Sequence, residues 1–251
     1  MCVSGLAVLS FVSFVLPVGQ LLVWALSELP EDWGSLISIT GNSFTVAGLS
    51  AVTVVVLSLI LTFAYRFFPI PRVQLANRLS VLGYAFPGAV LAIGLYLPLL
   101  RIDNFIADSF VAAFDWDPGL IISGGLSIMV IGLSIRYLAV GHGAIRTAQS
   151  RVSRRIDEAA NIFGVYGLKQ LRLIHLPILW RAILGASVLV FIDVVKEMPL
   201  TLMTRPFGWD TLAVRVFELI SEGEWERAAL PSLLIVLLGM IPVLFFRSEK
   251  S

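Results

Sequence analysis

Six apolar runs divide the chain, at residues 4–26, 45–67, 79–100, 120–140, 182–203 and 228–246. Each is close to the roughly 20 residues that a helix needs to cross a hydrocarbon core of about 30 Å. A spanning backbone must satisfy its own polar groups, which leaves helices or a closed barrel, and the runs lack the alternation of barrel strands. The pattern predicts an all-α polytopic membrane protein with six transmembrane helices. The first run is longer than a signal-peptide core, with no basic residue before it and no small-x-small site near its end, so it is expected to remain as a span. The longest polar interruption separates the fourth and fifth runs.

Composition supports the membrane reading. Of the 251 residues 58% are hydrophobic and 14% charged, against about a quarter charged in soluble domains. The single cysteine, Cys2, excludes an internal disulfide and a cysteine metal cluster. His142 and His175 lie in the polar interruption, away from any carboxylate pair, and read as surface residues rather than ligands. No constellation looks like a metal site. The chain has no G-x-x-x-x-G-K-[ST] stretch, so it is not expected to be an ATPase itself, and ATP with its magnesium would be held by a partner.

Charge predicts orientation. Arg66, Arg72 and Arg78 follow the second run; Arg136, Arg146, Arg151, Arg154, Arg155, Lys169, Arg172 and Arg181 are assigned to the fourth gap; Arg247 and Lys250 close the chain. That places 13 of the 18 basic residues on one side. The other side receives 12 of the 17 acidic residues: Glu28, Glu31 and Asp32, then Asp103, Asp108, Asp115 and Asp117, then Asp210, Glu218, Glu222, Glu224 and Glu226. By the positive-inside rule both termini and the polar interruption face the cytoplasm.

Within that interruption stand Glu158-Ala159-Ala160, three residues, Gly164, nine residues, then Ile174-His175-Leu176-Pro177. The alanine pair favours helix, Gly164 permits a turn with positive φ, and Pro177 suits the start of the next span. The product is a helix-turn-helix knob. Small residues let another backbone approach. The spacing resembles the cytoplasmic coupling loop of the membrane subunits of ATP-binding-cassette importers, E-A-A-x3-G-x9-I-x-L-P. That resemblance implies a type I (MetI-like) permease bundle in a bacterial inner membrane. It implies a first helix and periplasmic loop over 1–40, a transmembrane domain over 41–247 with its coupling loop at 141–181, and a cytoplasmic tail at 248–251. Its partners would be two ATPase subunits, a periplasmic or lipid-anchored solute-binding protein and a second permease half. Glu158, Ala159, Ala160, Gly164, Ile174, Leu176 and Pro177 would form the ATPase-coupling loop, Glu158 pairing with a basic ATPase residue or capping the knob.

The fifth run carries Asp193, Lys196 and Glu197, spaced to share one helix face. A charge at the bilayer centre costs about 2.5–3.5 kcal/mol on insertion scales, so that face must meet the bundle or a wet cavity. Pro199 removes a helix donor beside them. They are candidates either for lining a translocation path or for a mutual packing clamp. Lys196-Glu197-Met198-Pro199, Thr201-Leu202, Arg205-Pro206-Phe207, Asp210-Thr211-Leu212-Ala213 and Arg215-Val216-Phe217-Glu218-Leu219 resemble the iron(III) branch of these permeases, C-terminal half. The candidate pathway and gate residues are therefore Asp193, Lys196, Glu197, Pro199, Thr201, Arg205 and Phe207. Downstream, Leu212, Val216, Leu219 and Ile220 share a face, and Trp209 and Trp225 suit a membrane interface. An interfacial helix by the outer gate is expected there. Thiamine, sulfate, polyamine and phosphonate permeases share the coupling loop. An ion-coupled secondary transporter, using the Asp193 face as its ion site, and a membrane scaffold are the rival classes.

Overall fold

A computed structural model of the chain describes residues 5, 8–9, 11–30, 32–68 and 70–248, with side chains up to residue 240. Expectations resting on Cys2, Ser4, Glu31, Lys250 and the rest of the tail beyond 248 lie outside the described residues. The elements are α1 (Leu16–Ser27, led in by a π turn at Phe11–Val15), α2 (Trp33–Phe67), α3 (Pro71–Leu79), α4 (Gly88–Phe114), α5 (Leu126–Ser150), α6 (Arg154–Ile162) and α7 (Gly167–Gln170). α7 runs through a π turn, Leu171–His175, into α8 (Leu176–Val195), followed by α9 (Pro199–Thr204), α10 (Leu212–Ser221) and α11 (Ala229–Ser248).

Among the described residues four helices are long and apolar enough to cross a membrane: Trp33–Phe67, Gly88–Phe114, Leu126–Ser150 and Gly167–Val195. The first and last expected spans correspond to shorter apolar helices, Phe11–Ser27 and Ala229–Met240. The structure thus supports four of the six expected spans.

Helix boundaries differ from the apolar runs for local reasons. α2 starts twelve residues before the 45–67 run. Asp32 caps it by accepting from the Ser35 N–H at 3.1 Å, and the hydroxyls of Thr40, Ser43 and Thr45 fold back onto carbonyls one turn earlier. Polar residues are thereby satisfied inside the helix. α4 starts later than its run because Pro87 bars helix at Phe86. It continues past Arg101, Asp103 and Asp108 until Asp115 takes a left-handed conformation, φ 52°. Arg101, Asp103 and Asp108 are therefore helix residues, and Arg136 lies within α5. The same holds for Arg66 in α2, Arg146 in α5 and Arg181 in α8, so part of the charge read from the gaps is carried on the long helices.

The core forms where α2, α5 and α8 meet, around Val46, Ala47, Val54, Met129, Leu133, Tyr137, Val190 and Val194. Two glycines set how closely elements approach. A Cβ on Gly141 would stand 2.5 Å from Val54 Cγ1, so α2 and α5 touch through a missing side chain. A Cβ on Gly83, in the short 3₁₀ turn Leu82–Ala85, would stand 2.2 Å from the carbonyl oxygen of Ile135. That neighbour is backbone and cannot rotate away. Gly83→Ala is expected to lower stability by about 1–3 kcal/mol, read as a lower melting temperature of the detergent-purified protein. Gly94→Ala, at a site with open space around it, should leave the melting temperature unchanged or higher.

Candidate functional site

The knob forms as its spacing predicts. Ser153 caps α6 by accepting from the Arg155 N–H at 3.3 Å. The helix ends when Gly164 adopts φ +72°. The Gly164 N–H donates to the Asn161 carbonyl at 3.0 Å and the Val165 N–H to the Ala160 carbonyl at 2.9 Å, which closes the last turn. Gly167, φ +55°, turns the chain again into α7. Pro177 stands just past the π turn Leu171–His175, inside a helix that runs from Gly167 to Val195, so the long helix starts ten residues before the proline expected to open it.

The motif positions divide by direction. Ala160 is buried beneath the knob, while Glu158 and Ala159 are exposed and Gly164 has open space around it. The glycine is needed for its backbone conformation rather than for room. Ile174 and Leu176 are half-buried. Around the turn, Ile162, Phe163, Tyr166 and Leu168 are each at least 60% exposed. They form an apolar tip flanked by the exposed side chains of Arg154, Arg155, Lys169 and Arg172.

Beneath the tip lies a polar cluster that sequence reasoning missed. Asp157 accepts from Arg66 of α2 at 2.7 Å. It also accepts from Gln170 Nε2 at 2.9 Å and meets His175 Nε2 at 2.9 Å. His175 is fully buried, with its ring edge-on to Phe63 and Phe67. His142 is also buried and contacts the Thr62 hydroxyl at 3.2 Å. The reading of both histidines as surface residues is thus corrected. Their polar segment is itself packed against spans.

The charged stretch after the fifth run is broken, and its members part. α8 ends at Val195, and α9 restarts with Pro199 at its first position. Asp193 and Lys196 pair at 2.8 Å with the lysine 60% exposed. Glu197, 6% exposed, turns the other way. It accepts from the Tyr137 hydroxyl at 2.5 Å and pairs with Arg136 Nε at 3.2 Å, and Arg136 Nη1 donates to the Phe86 carbonyl at 2.7 Å. The expected common face fails for Glu197 because the helix ends before it, at a break that Pro199 enforces. Thr201 is buried, 2% exposed, so it packs in the bundle in this structure.

On the far side of the break, Arg205 is held by Asp210 and by Glu218, the latter at 2.8 Å. Asn42 Nδ2 donates to the Asp210 carbonyl at 3.2 Å, and the Leu212 N–H donates to Ser43 Oγ at 2.7 Å. The Pro206–Asp210 turn is thereby fastened to α2, with Gly208 at φ +79° and the Phe207 ring fully exposed. α10 buries Leu212, Ala213, Val214 and Leu219, while Val216 and Ile220 of the expected face are half-buried. Leu212 packs with Leu36 and Ile39 of α2, beside Leu230 and Leu234 of α11.

No family model matches the chain. Over 239 residues it is 25% identical to the Fe(3+)-transport system permease protein FbpB 2 of Haemophilus influenzae, covering 94% of this chain and 44% of that protein. A 251-residue alignment gives 27% identity to PhnV of Salmonella typhimurium, named for 2-aminoethylphosphonate transport, over 97% of this chain and 91% of that protein. Relatives of this chain are ABC-importer permeases. The fold agrees. A chain in the crystal structure of a bacterial ABC transporter involved in the import of the acidic polysaccharide alginate superposes with a TM-score of 0.69 at 13% identity, covering 98% of this chain and 92% of that one. The chain spans less than half the length of the iron-transport relative and nearly all of PhnV.

Proposed function

We propose that this chain is a transmembrane permease half of an ATP-driven, solute-binding-protein-dependent importer. The observation that carries the reading is the knob: a rigid helix and turn with an apolar tip, at the basic end of the bundle, built on the coupling-loop spacing. In this reading two ATPase subunits, which bind the ATP and magnesium, seat the knob in a groove. A second permease half completes the path, and a binding protein delivers solute on the side of Phe207. Both termini face the cytoplasm. Asp193, Lys196, Glu197, Pro199, Thr201, Arg205 and Phe207 belong to the path and outer gate, Glu197 and Arg205 as fixed supports and Lys196 and Phe207 as exposed groups. One relative by fold was solved with a bound periplasmic protein, which supports such a partner here.

Ferric iron is the first solute reading, supported by the iron-transport relative and by residues 196–219. The near full-length match to PhnV favours a phosphonate as the second. Uptake of labelled iron(III) against 2-aminoethylphosphonate in cells expressing the complete system separates the two.

The knob is tested by recovery of the ATPase encoded beside this chain's gene. Wild type should capture it from mild detergent. Gly164→Pro forces φ from +72° to about −65° and deletes a donor, so it should abolish capture, and Glu158→Lys should weaken it severalfold. Undiminished capture by Gly164→Pro would remove the coupling role.

A further inference from the structure

The knob is joined to the chain by short connections, residues 151–153 before it and 163–166 after it. Gly164 and Gly167, both at positive φ, are places where the second connection can hinge. A lever on two such connections would bend rather than push. What stiffens it is the cluster on Asp157. Oδ2 accepts from Arg66 in the last turn of α2 at 2.7 Å, and Oδ1 contacts Gln170 and His175, on the turn that feeds α8, at 2.9 Å each. The same guanidinium donates to the carbonyls of Gln149 (3.3 Å), Val152 (3.1 Å) and Ser153 (3.2 Å), at the end of α5 and just beyond it. One ion pair therefore binds α6 to the ends of α2, α5 and α8.

The cluster is shielded as well as central. Gln170 and His175 are 1% and 0% exposed, and the Asp157 and Arg66 side chains 15% and 10%. An ion pair screened from water and salt holds its geometry where a surface pair does not. Directly beside it, Glu158 is exposed and makes no ion pair among the described residues. Adjacent carboxylates thus face opposite ways, one outward and one inward to the spans.

We propose that Arg66, Asp157, Gln170 and His175 are positioning residues that form a transmission joint, making the knob and the cytoplasmic ends of α2, α5 and α8 move as one body. The inference rests on the reading of the knob as the ATPase-docking element. Coupling between an ATPase and a transport path needs a two-state element that both bias. This joint is where the knob becomes part of the spans.

The test measures stiffness rather than activity. Nitroxide labels at Asn161→Cys on the knob and Ile60→Cys on α2, both exposed, are introduced with Cys2→Ser, and the complex is purified with its ATPase. Their separation is measured without nucleotide and with Mg-ATP plus orthovanadate. The otherwise unsubstituted joint should give one narrow distance in both states. Asp157→Asn, equal in size but uncharged, should develop a second distance only with nucleotide, while it captures ATPase as wild type does. Asp157→Glu, which keeps the charge, should restore the single distance. Arg66→Met takes the guanidinium away from the Gln149, Val152 and Ser153 carbonyls together and should broaden the distances in both states, the signature of a structural defect. A single narrow distance in Asp157→Asn under both conditions would overturn the joint and leave the knob reading intact. Loss of ATPase capture in Asp157→Asn would place the residue in the docking surface and overturn the joint as well. If the unsubstituted chain captures no ATPase, the knob reading falls first.

Discussion

Replacing Glu197 with leucine should cost about 3–5 kcal/mol of stability, the expected penalty for removing one partner of a buried ion pair. The Arg136 guanidinium would then lie in a long apolar helix without a carboxylate to balance it, keeping the Phe86 carbonyl and the Tyr137 side chain, and the Tyr137 hydroxyl would lose its acceptor. Gly88 approaches the carboxylate so closely that a Cβ there would stand 2.6 Å from Glu197 Oε1. Arg136→Leu should cost a similar amount by stranding Glu197, which would keep only Tyr137 and the Leu200 N–H at 3.3 Å. The double variant should regain most of the loss, because an apolar pair of similar volume carries no desolvation penalty. Melting temperatures of the four proteins in detergent form the cycle. Single variants that melt with wild type would mean that the pair contributes nothing to the bundle.

Asp103→Ala should cost about 3 kcal/mol or more and loosen the connection between α4 and α5. The carboxylate is fully buried and accepts from the Ile122 N–H at 2.9 Å, the Ser123 N–H at 2.5 Å and the Ser123 hydroxyl at 2.6 Å. Removing it orphans two backbone donors, each worth about 1–3 kcal/mol when left unsatisfied. Asp103→Asn keeps the shape and part of the acceptance, so it should cost less than alanine. Protease nicking between residues 115 and 125, in protein reconstituted into liposomes, should rise for alanine and stay low for asparagine. Equal resistance in all three would show that the connection holds without this carboxylate.

The knob was the most legible part of the chain. Its requirements are local: an alanine pair for helix and a glycine that takes positive φ. Local geometry of that kind is written in neighbouring residues. Asp157, one position before the recognised motif, was not singled out, because nothing within the motif says which of two adjacent carboxylates faces inward. The signal available was the helical period. Ile156 packs inward with Phe63 and Ala148, Ala160 is buried, and Asp157 stands on that side of α6.

The partners of Glu197 and Asp103 were not legible for a different reason. A charge in an apolar run signals that a partner exists, but its partner here lies about 60 residues away in one case and 20 in the other. The Asp193-Lys196-Glu197 spacing suggested one face only while the helix was taken as continuous. The break before Pro199 sent Glu197 to α5 and left Asp193 with Lys196.

Sequence by itself determined the all-helical class, the approximate places of four spans, the segregation of charge and the form of the knob. Each depends on composition or on residues within a few turns of one another. Tertiary structure alone decided how long α2 and α4 run, which charges are buried, what holds the knob to the spans, and how closely Gly83 and Gly141 bring their neighbours. These depend on partners that meet only once the chain has packed. In an apolar bundle each buried polar group must find such a partner, and which one it finds is set by the register of the helices.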